Sequence, residues 1–226
     1  MLLALDTSTA LASVALYDGT LRAEATWYAG RNHSQQVLPA AVRLLTEQGL
    51  SQADLMAIGV AIGPGSYTGV RVGLALAKGL AVSLRLPLVG VSTLDVLAAP
   101  FVSAGRPVRP ALDAGRRRYA TALYERQGDA LVATEPVRGV DLEELAALLR
   151  PPLLVTGDLD AAARARLAAD PAGAADYDKE GGAPGVAIVS PAAALRRAGF
   201  LAELAWRRLA AAGGHDPATV DAIYLG

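Results

Sequence analysis

The hydrophobic positions of the first half change period in a fixed order. Leu2 to Asp6 is a short apolar run ending on an acid, the pattern of a buried strand. Ala12 to Asp18 predicts a second strand and Leu21 to Tyr28 a third, joined through Asp18-Gly19, a two-residue hairpin turn. From about Ser34 to Gln48 the spacing becomes helical: Val37, Leu38, Ala41, Leu44 and Leu45 form one stripe, and Gly49 marks its stop. A strand over Ala57 to Ile62, a helix from about Thr68 to Leu84, a strand over Leu88 to Val91 and a short helix from Ser92 complete the half.

The second half repeats this order. Strands are predicted at Val108 to Asp113, Arg118 to Glu125 and Ala130 to Val137. A helix over Leu142 to Leu149 follows, opened by Asp141 with Glu144 completing a capping box. Then come a strand at Leu153 to Thr156, a helix at Asp160 to Ala169, a strand at Val186 to Val189, and a long helix from Pro191 to about Ala212. Ala4-Leu5-Asp6 and Ala15-Leu16-Tyr17 recur as Ala111-Leu112-Asp113 and Ala122-Leu123-Tyr124, and one offset of 107 residues maps both triplets. Two copies of β-β-β-α-β-α-β-α predict a duplicated α/β fold, with halves at residues 1–100 and 101–226 and a boundary near Pro100 to Pro107. Asp170 to Pro184, rich in glycine, proline and charge, is the expected mobile loop. The duplicated order resembles the actin, Hsp70 and sugar-kinase (ASKHA) superfamily, which implies a nucleotide site between the halves; fold alone does not assign function.

Three features carry candidate chemistry. Gly63-Pro64-Gly65-Ser66-Tyr67-Thr68-Gly69 joins a strand to a helix, either as a tight connection or as a loop whose N–H groups receive an anion. Asp6, together with Gly63, Gly65 and Ser66, is the candidate nucleotide or anion contact; its bland reading is an acid that ends a strand and caps a turn. The loop lacks the Gly-Lys-Ser/Thr of a Walker motif. In the helix that follows, Gly69, Gly73 and Ala77 fall on one strip and Ala75, Gly79 and Ser83 on another. A helix that is apolar all round must be covered all round, either by its own sheet and neighbouring helix or, on one strip, by another protein, and the second reading is favoured. The strip Gly69, Gly73 and Ala77, with Val70, is assigned to that partner, together with Val37, Leu38, Ala41 and Leu45 of the preceding helix.

Composition narrows the chemistry. The 226 residues hold 21 Lys+Arg and 22 Asp+Glu, a net charge of −1, which disfavours strong unaided binding to nucleic acid. Without cysteine there is no disulfide, thiolate zinc site or cysteine nucleophile. His33 and His215 are the two histidines, too few for a histidine-built metal centre. His33, alone before a helix, reads as a capping or surface residue ahead of a metal ligand, and Arg116-Arg117-Arg118 as the solvated start of a strand ahead of an RNA contact. The most apolar stretch, Gly73 to Val91, is broken by Lys78, Arg85 and Pro87, and the start MLLALDTST lacks a basic leader region, so a cytoplasmic chain is expected.

Leu3-Ala4-Leu5-Asp6-Thr7-Ser8-Thr9, Asn32-His33-Ser34-Gln35 leading to Leu38-Pro39, Gly63-Pro64-Gly65-Ser66-Tyr67-Thr68-Gly69-Val70-Arg71 and Gly90-Val91-Ser92-Thr93-Leu94 occur in the order and at the spacing of the bacterial TsaB (YeaZ) family. The resemblance covers residues 1–95 closely and the rest loosely. Where the family reads Asp-Ala-Arg and then Gly-Glu-Val-Tyr, this chain has Asp113-Ala114-Gly115-Arg116-Arg117-Arg118-Tyr119, and Tyr224-Leu225-Gly226 stands for Tyr-Leu-Arg. The resemblance implies a non-catalytic subunit of the machinery that places a threonylcarbamoyl group on the tRNA adenosine beside the anticodon. It implies pairing with the catalytic paralogue TsaD through first-half helices, an ATPase partner TsaE, tRNA contact through the complex, and self-association as a homodimer when alone. No catalytic residue, metal or cofactor is expected on this chain by itself, with ATP or ADP a ligand to be sought at the interface of the complex. The His-x-x-x-His metal motif of TsaD is absent, since Val37 follows His33 at that spacing. The alternative is an ASKHA enzyme, an acyl or sugar kinase or a glycoprotease-like hydrolase.

Overall fold

A computed structural model describes residues 1–169, 175–176 and 185–224, so the loop expected at Asp170 to Pro184 lies almost wholly outside the described residues. The chain forms two units. The first comprises Met1–Val96 with Arg197–Tyr224, and the second Leu97–Arg196.

In the first unit, β1 (Leu2–Asp6), β2 (Leu11–Tyr17) and β3 (Leu21–Tyr28) form an antiparallel meander. Then come α1 (His33–Glu47), β4 (Ala57–Ala61), α2 (Tyr67–Leu84), β5 (Leu88–Val91) and α3 (Thr93–Ala98). The sheet order is β3-β2-β1-β4-β5, with β4 and β5 parallel to β1. These elements lie within one or two residues of their sequence-predicted bounds.

Side chains alternate across this sheet and set two different packing distances. Leu3, Leu5, Val14, Leu16, Ile58 and Val60 point to one face and form a core with α1 and α2. Ala4, Ala15, Ala57 and Ala61 point to the other, where α6 (Ala198–Ala212) lays down Ala198, Leu201, Ala202 and Ala205. The small side chains let α6 come close: a β-carbon on Gly59 would stand 3.0 Å from Cβ of Ala205.

The C-terminal helix therefore belongs to the first unit, a correction to the division at residues 1–100 and 101–226. Its start also differs. Pro191 to Ala194 form a turn, and the helix begins at Ala198, where Glu24 of β3 serves as its cap. Glu24 accepts from the N–H of Gly199 at 2.8 Å and from Nε of Arg197 at 2.8 Å, satisfying a free helix-start donor from another element. At the other end Arg208 donates to Asp95 Oδ2 at 2.5 Å and to the Gly90 carbonyl at 2.8 Å.

In the second unit, β6 (Val108–Asp113), β7 (Tyr119–Thr121), β8 (Tyr124–Gln127), β9 (Ala130–Ala133) and β10 (Arg138–Val140) precede α4 (Leu142–Ala147), β11 (Leu153–Gly157), α5 (Ala161–Ala168), β12 (Ala175–Asp176) and β13 (Val186–Ile188). The order is β10-β7-β6-β11-β13-β12, with the β8–β9 hairpin paired off β6. Here β7-β6-β11-β13 repeats the arrangement β2-β1-β4-β5 of the first sheet, bearing out the duplicated α/β reading. Of two further predicted strands, one is divided and one is shortened. Arg118 to Glu125 separates into β7, which pairs with β6 and β10, and β8, which pairs with β9. Ala130 to Val137 stops at Ala133, before Pro136, which has no N–H for a ladder. The Asp141–Glu144 capping box forms as predicted, with both bonds at 2.8 Å.

Among the described residues, no helix is long and apolar enough to cross a membrane.

Candidate interaction surface and the turn packed behind it

The small residues of α2 divide cleanly by face. Gly69, Val70, Gly73, Ala77 and Ala81 are buried within the first unit. A β-carbon on Gly69 would stand 2.2 Å from the Thr7 carbonyl oxygen, and one on Gly73 would stand 2.2 Å from Thr7 Oγ1. The strip lies on the turn after β1, where Thr7 Oγ1 donates to the Gly69 carbonyl at 2.7 Å. This reverses the sequence assignment: Gly69, Val70, Gly73 and Ala77 face the protein's own sheet and turn. Val37, Ala41 and Leu45 of α1 are likewise buried in the core, leaving Leu38 as the one exposed member of the predicted interface set.

The opposite strip is open. Ala75, Gly79 and Ser83 are exposed, and a β-carbon on Gly79 would meet nothing within 4 Å. Val82, next to this strip, is 67% exposed, and Tyr67 at the helix start is 56% exposed. On α1, Leu38 and Val42 are exposed one turn apart, at 38% and 43%. α1 and α2 pack against each other on one face of the sheet, and each leaves apolar side chains exposed, with Gly79 open between Ala75 and Ser83 on α2.

The Gly-rich loop packs on the turn that follows Asp6, through the backbone of Ser8. Asp6 is buried, and its Oδ1 accepts from the N–H and Oγ of Ser8 at 2.8 and 2.5 Å. The N–H of Ser66 donates to the Ser8 carbonyl at 2.7 Å. A β-carbon on Gly65 would stand 2.2 Å from that same carbonyl oxygen, and one on Gly63 would stand 2.7 Å from the Ile223 carbonyl oxygen. The glycines thus serve backbone-to-backbone approach. Ser66 stays exposed as the N-cap of α2, accepting from Gly69 N–H at 3.3 Å.

Two side chains near this turn carry information that periodicity does not. His33, the first residue of α1, is buried, and its Nδ1 has no hydrogen-bond partner among the described residues. Burial pushes the imidazole below its ordinary range, while the Thr9 backbone and the Asp6 carboxylate act the other way. Arg71 lies 3.8 Å from the centre of the Tyr67 ring, and its Nε donates to Tyr224 Oη at 2.9 Å. That bond, with Ile223 N–H on the Ile62 carbonyl at 2.7 Å, ties the C-terminal segment beside the Gly-rich loop. Among the described residues no three His, Cys, Asp or Glu side chains converge as a metal site.

Comparison with known proteins identifies the family. A family model for TsaD, tRNA N6-adenosine threonylcarbamoyltransferase, matches residues 27–166, more than half of the chain. The chain is 39% identical over 150 residues to the tRNA threonylcarbamoyladenosine biosynthesis protein TsaB of Bacillus subtilis, and 39% identical over 142 residues to that of Escherichia coli. These matches take in 66% and 62% of this chain, and 66% and 61% of the two relatives. Over its whole length the fold matches YeaZ from Pseudomonas aeruginosa, with a TM-score of 0.78, 27% identity and 99% of each chain covered. A further Pseudomonas aeruginosa structure, of an uncharacterized protein with similarity to peptidase YEAZ, matches with a TM-score of 0.76 at 26% identity, over 100% of this chain and 99% of that one. Motif order, duplicated sheets and these likenesses converge: the chain belongs to the TsaB/YeaZ family, within the TsaD-type proteins.

Proposed function

We propose that this chain is a non-catalytic subunit of the machinery that modifies tRNA with threonylcarbamoyladenosine, docking a TsaD-like catalytic paralogue through the outer faces of α1 and α2. The observation that carries the reading is the open strip at Ala75 and Gly79, flanked by exposed Val82 and joined by Leu38 and Val42. A glycine here, in a helix interior with nothing above it, costs about 0.5–1 kcal/mol relative to alanine. Close approach by a second helix gives that cost a purpose. The TsaB names of the relatives supply the pathway, and the TsaD family match supports a paralogous partner of similar fold. A TsaE-like ATPase completes the assembly, tRNA is met through the complex, and without its partner the same surface joins two copies of this chain.

The test is a charge on each strip. Gly79→Glu should leave a folded chain that neither captures a TsaD-like subunit nor self-associates on size-exclusion chromatography. Gly79→Ala should be more stable than wild type by about 0.5–1 kcal/mol. Ala77→Glu should fail to fold, because it buries an unpaired carboxylate against the sheet. Undiminished capture by both Gly79→Glu and Val82→Glu would sink the docking surface. The described likeness of one solved neighbour to a peptidase favours a second reading, a hydrolase, which requires turnover by the purified chain that is lost on changing Asp6 or His33.

A further inference from the structure

The turn between β6 and β7 is held in a backbone conformation that its residues do not favour. Gly115, Arg116 and Arg117 follow one another with φ of +80°, +53° and +59°. The turn is closed by Ala114 N–H on the Arg118 carbonyl at 2.9 Å and by Arg118 N–H on the Gly115 carbonyl at 3.0 Å. The guanidinium of Arg118 is fixed on the Gly139 carbonyl. Glycine or asparagine would hold a left-handed φ with little strain, and arginine does not. Arg85, the other arginine with positive φ, has a structural reason for it: it is the C-cap of α2, with its N–H on the carbonyls of Ala81 and Val82. Arg116 and Arg117 cap nothing. Both are exposed, and neither has an acidic or hydrogen-bonding partner among the described residues. Two acids that act on neighbouring Tyr119 are themselves engaged: Asp113 accepts from Gly115 N–H at 2.7 Å, and Asp160 caps α5 through Ala163 N–H at 2.7 Å.

We infer that Arg116 and Arg117 form a phosphate-binding finger for the tRNA backbone, an assignment that rests on the tRNA-modification reading above. Two adjacent guanidiniums on a pinned turn offer planar donor forks that suit phosphodiester oxygens. The turn from Asp113 to Arg118 shows no large apolar or aromatic side chain that could fill the centre of a protein interface. With a net charge of −1 over the whole chain, the attraction is local and the contact weak, suited to positioning an RNA held by a larger assembly.

The experiment measures binding of unfractionated bacterial tRNA to the full chain by fluorescence anisotropy across a salt series. Its variants are Arg116→Asn/Arg117→Asn and Arg116→Lys/Arg117→Lys. The asparagine pair should fold and melt no lower than wild type, since asparagine tolerates the turn. Its affinity at low salt should fall on the order of tenfold, and the slope of log K against log salt should lose about 1.5 to 2, the share of two phosphates. The lysine pair should keep the slope. Unchanged affinity and slope in the asparagine pair would overturn the assignment, as would the absence of salt-dependent binding by wild type. Loss of TsaD capture with tRNA binding intact would overturn it in favour of an acidic protein surface. Gly79→Glu is the separating control: losing partner capture while keeping the tRNA slope tests the docking surface alone.

Discussion

Gly73 leaves no room for a side chain beside Thr7: a β-carbon on the glycine would stand 2.2 Å from Oγ1 of the threonine. The same Oγ1 donates to the Gly69 carbonyl at 2.7 Å, one turn earlier on α2. The turn after β1 is thus locked into the groove of small residues along the helix. A methyl at position 73 must displace either the hydroxyl or the helix.

Gly73→Ala should therefore destabilise the chain by about 1–3 kcal/mol, the range of an overpacked core, although alanine is the better helix former. Adding Thr7→Ala should recover part of that loss, because the next atom from the new methyl, Thr7 Cβ, lies at 3.5 Å. Chemical denaturation of the two single variants and the double variant gives the coupling directly. Additive costs would show that the two residues do not share this contact.

The same contact explains how far the sequence could be read. The elements of the first unit follow from period and turn residues, because each strand and helix keeps one kind of neighbour. The two strips of α2 were visible as spacing, and their assignment was legible too. Extended one turn each way, Gly73 and Ala77 run to Gly69 and Ala81, whereas Ala75 and Gly79 run to Arg71 and Ser83. The strip that ends in polar residues is the outer one. Nothing local indicates that Thr7 and Ser8 occupy the space beside the glycines, since those contacts span about sixty residues of sequence. Nor does any local signal place α6 on the first sheet; its clue is the alanine face shared by β1, β2 and β4, which matches alanines far along the chain.

The second unit holds a buried charge with a defined partner. Arg109, 3% exposed in the middle of β6, makes a two-bond pair with Glu135 at 3.2 and 3.3 Å, and Arg138 adds a third bond at 3.1 Å. Hydrogen bonds from Arg109 hold the Glu135 carboxyl below its ordinary range, with Arg138 contributing. Glu135→Gln should cost about 3–5 kcal/mol, because it leaves a guanidinium buried without its counter-charge. Arg109→Met/Glu135→Leu should cost far less. Equal losses in the two variants, measured by denaturant titration, would show that the pair matters as packing and not as charge.

His33 gives the last prediction, a dependence of stability on pH. Burial lowers its pKa in the folded chain below that of the unfolded chain, near 6.5. The unfolded state then binds the proton more readily, so acidification favours unfolding. Stability is unaffected by this group above the unfolded value and falls as pH drops through about 6.5 toward the folded value, by at most about 1.4 kcal/mol per pH unit for one proton. The unpartnered Nδ1 has no acceptor waiting for a second proton, so geometry and titration point the same way. Replacing the imidazole by a neutral side chain, His33→Gln, should lower stability at pH 8 and flatten its decline between about pH 7 and 5. Thermal melts at closely spaced pH values would show this as converging curves for the two proteins. Parallel curves would mean that His33 titrates alike in the folded and unfolded chain, and that the acid sensitivity resides in the carboxylates.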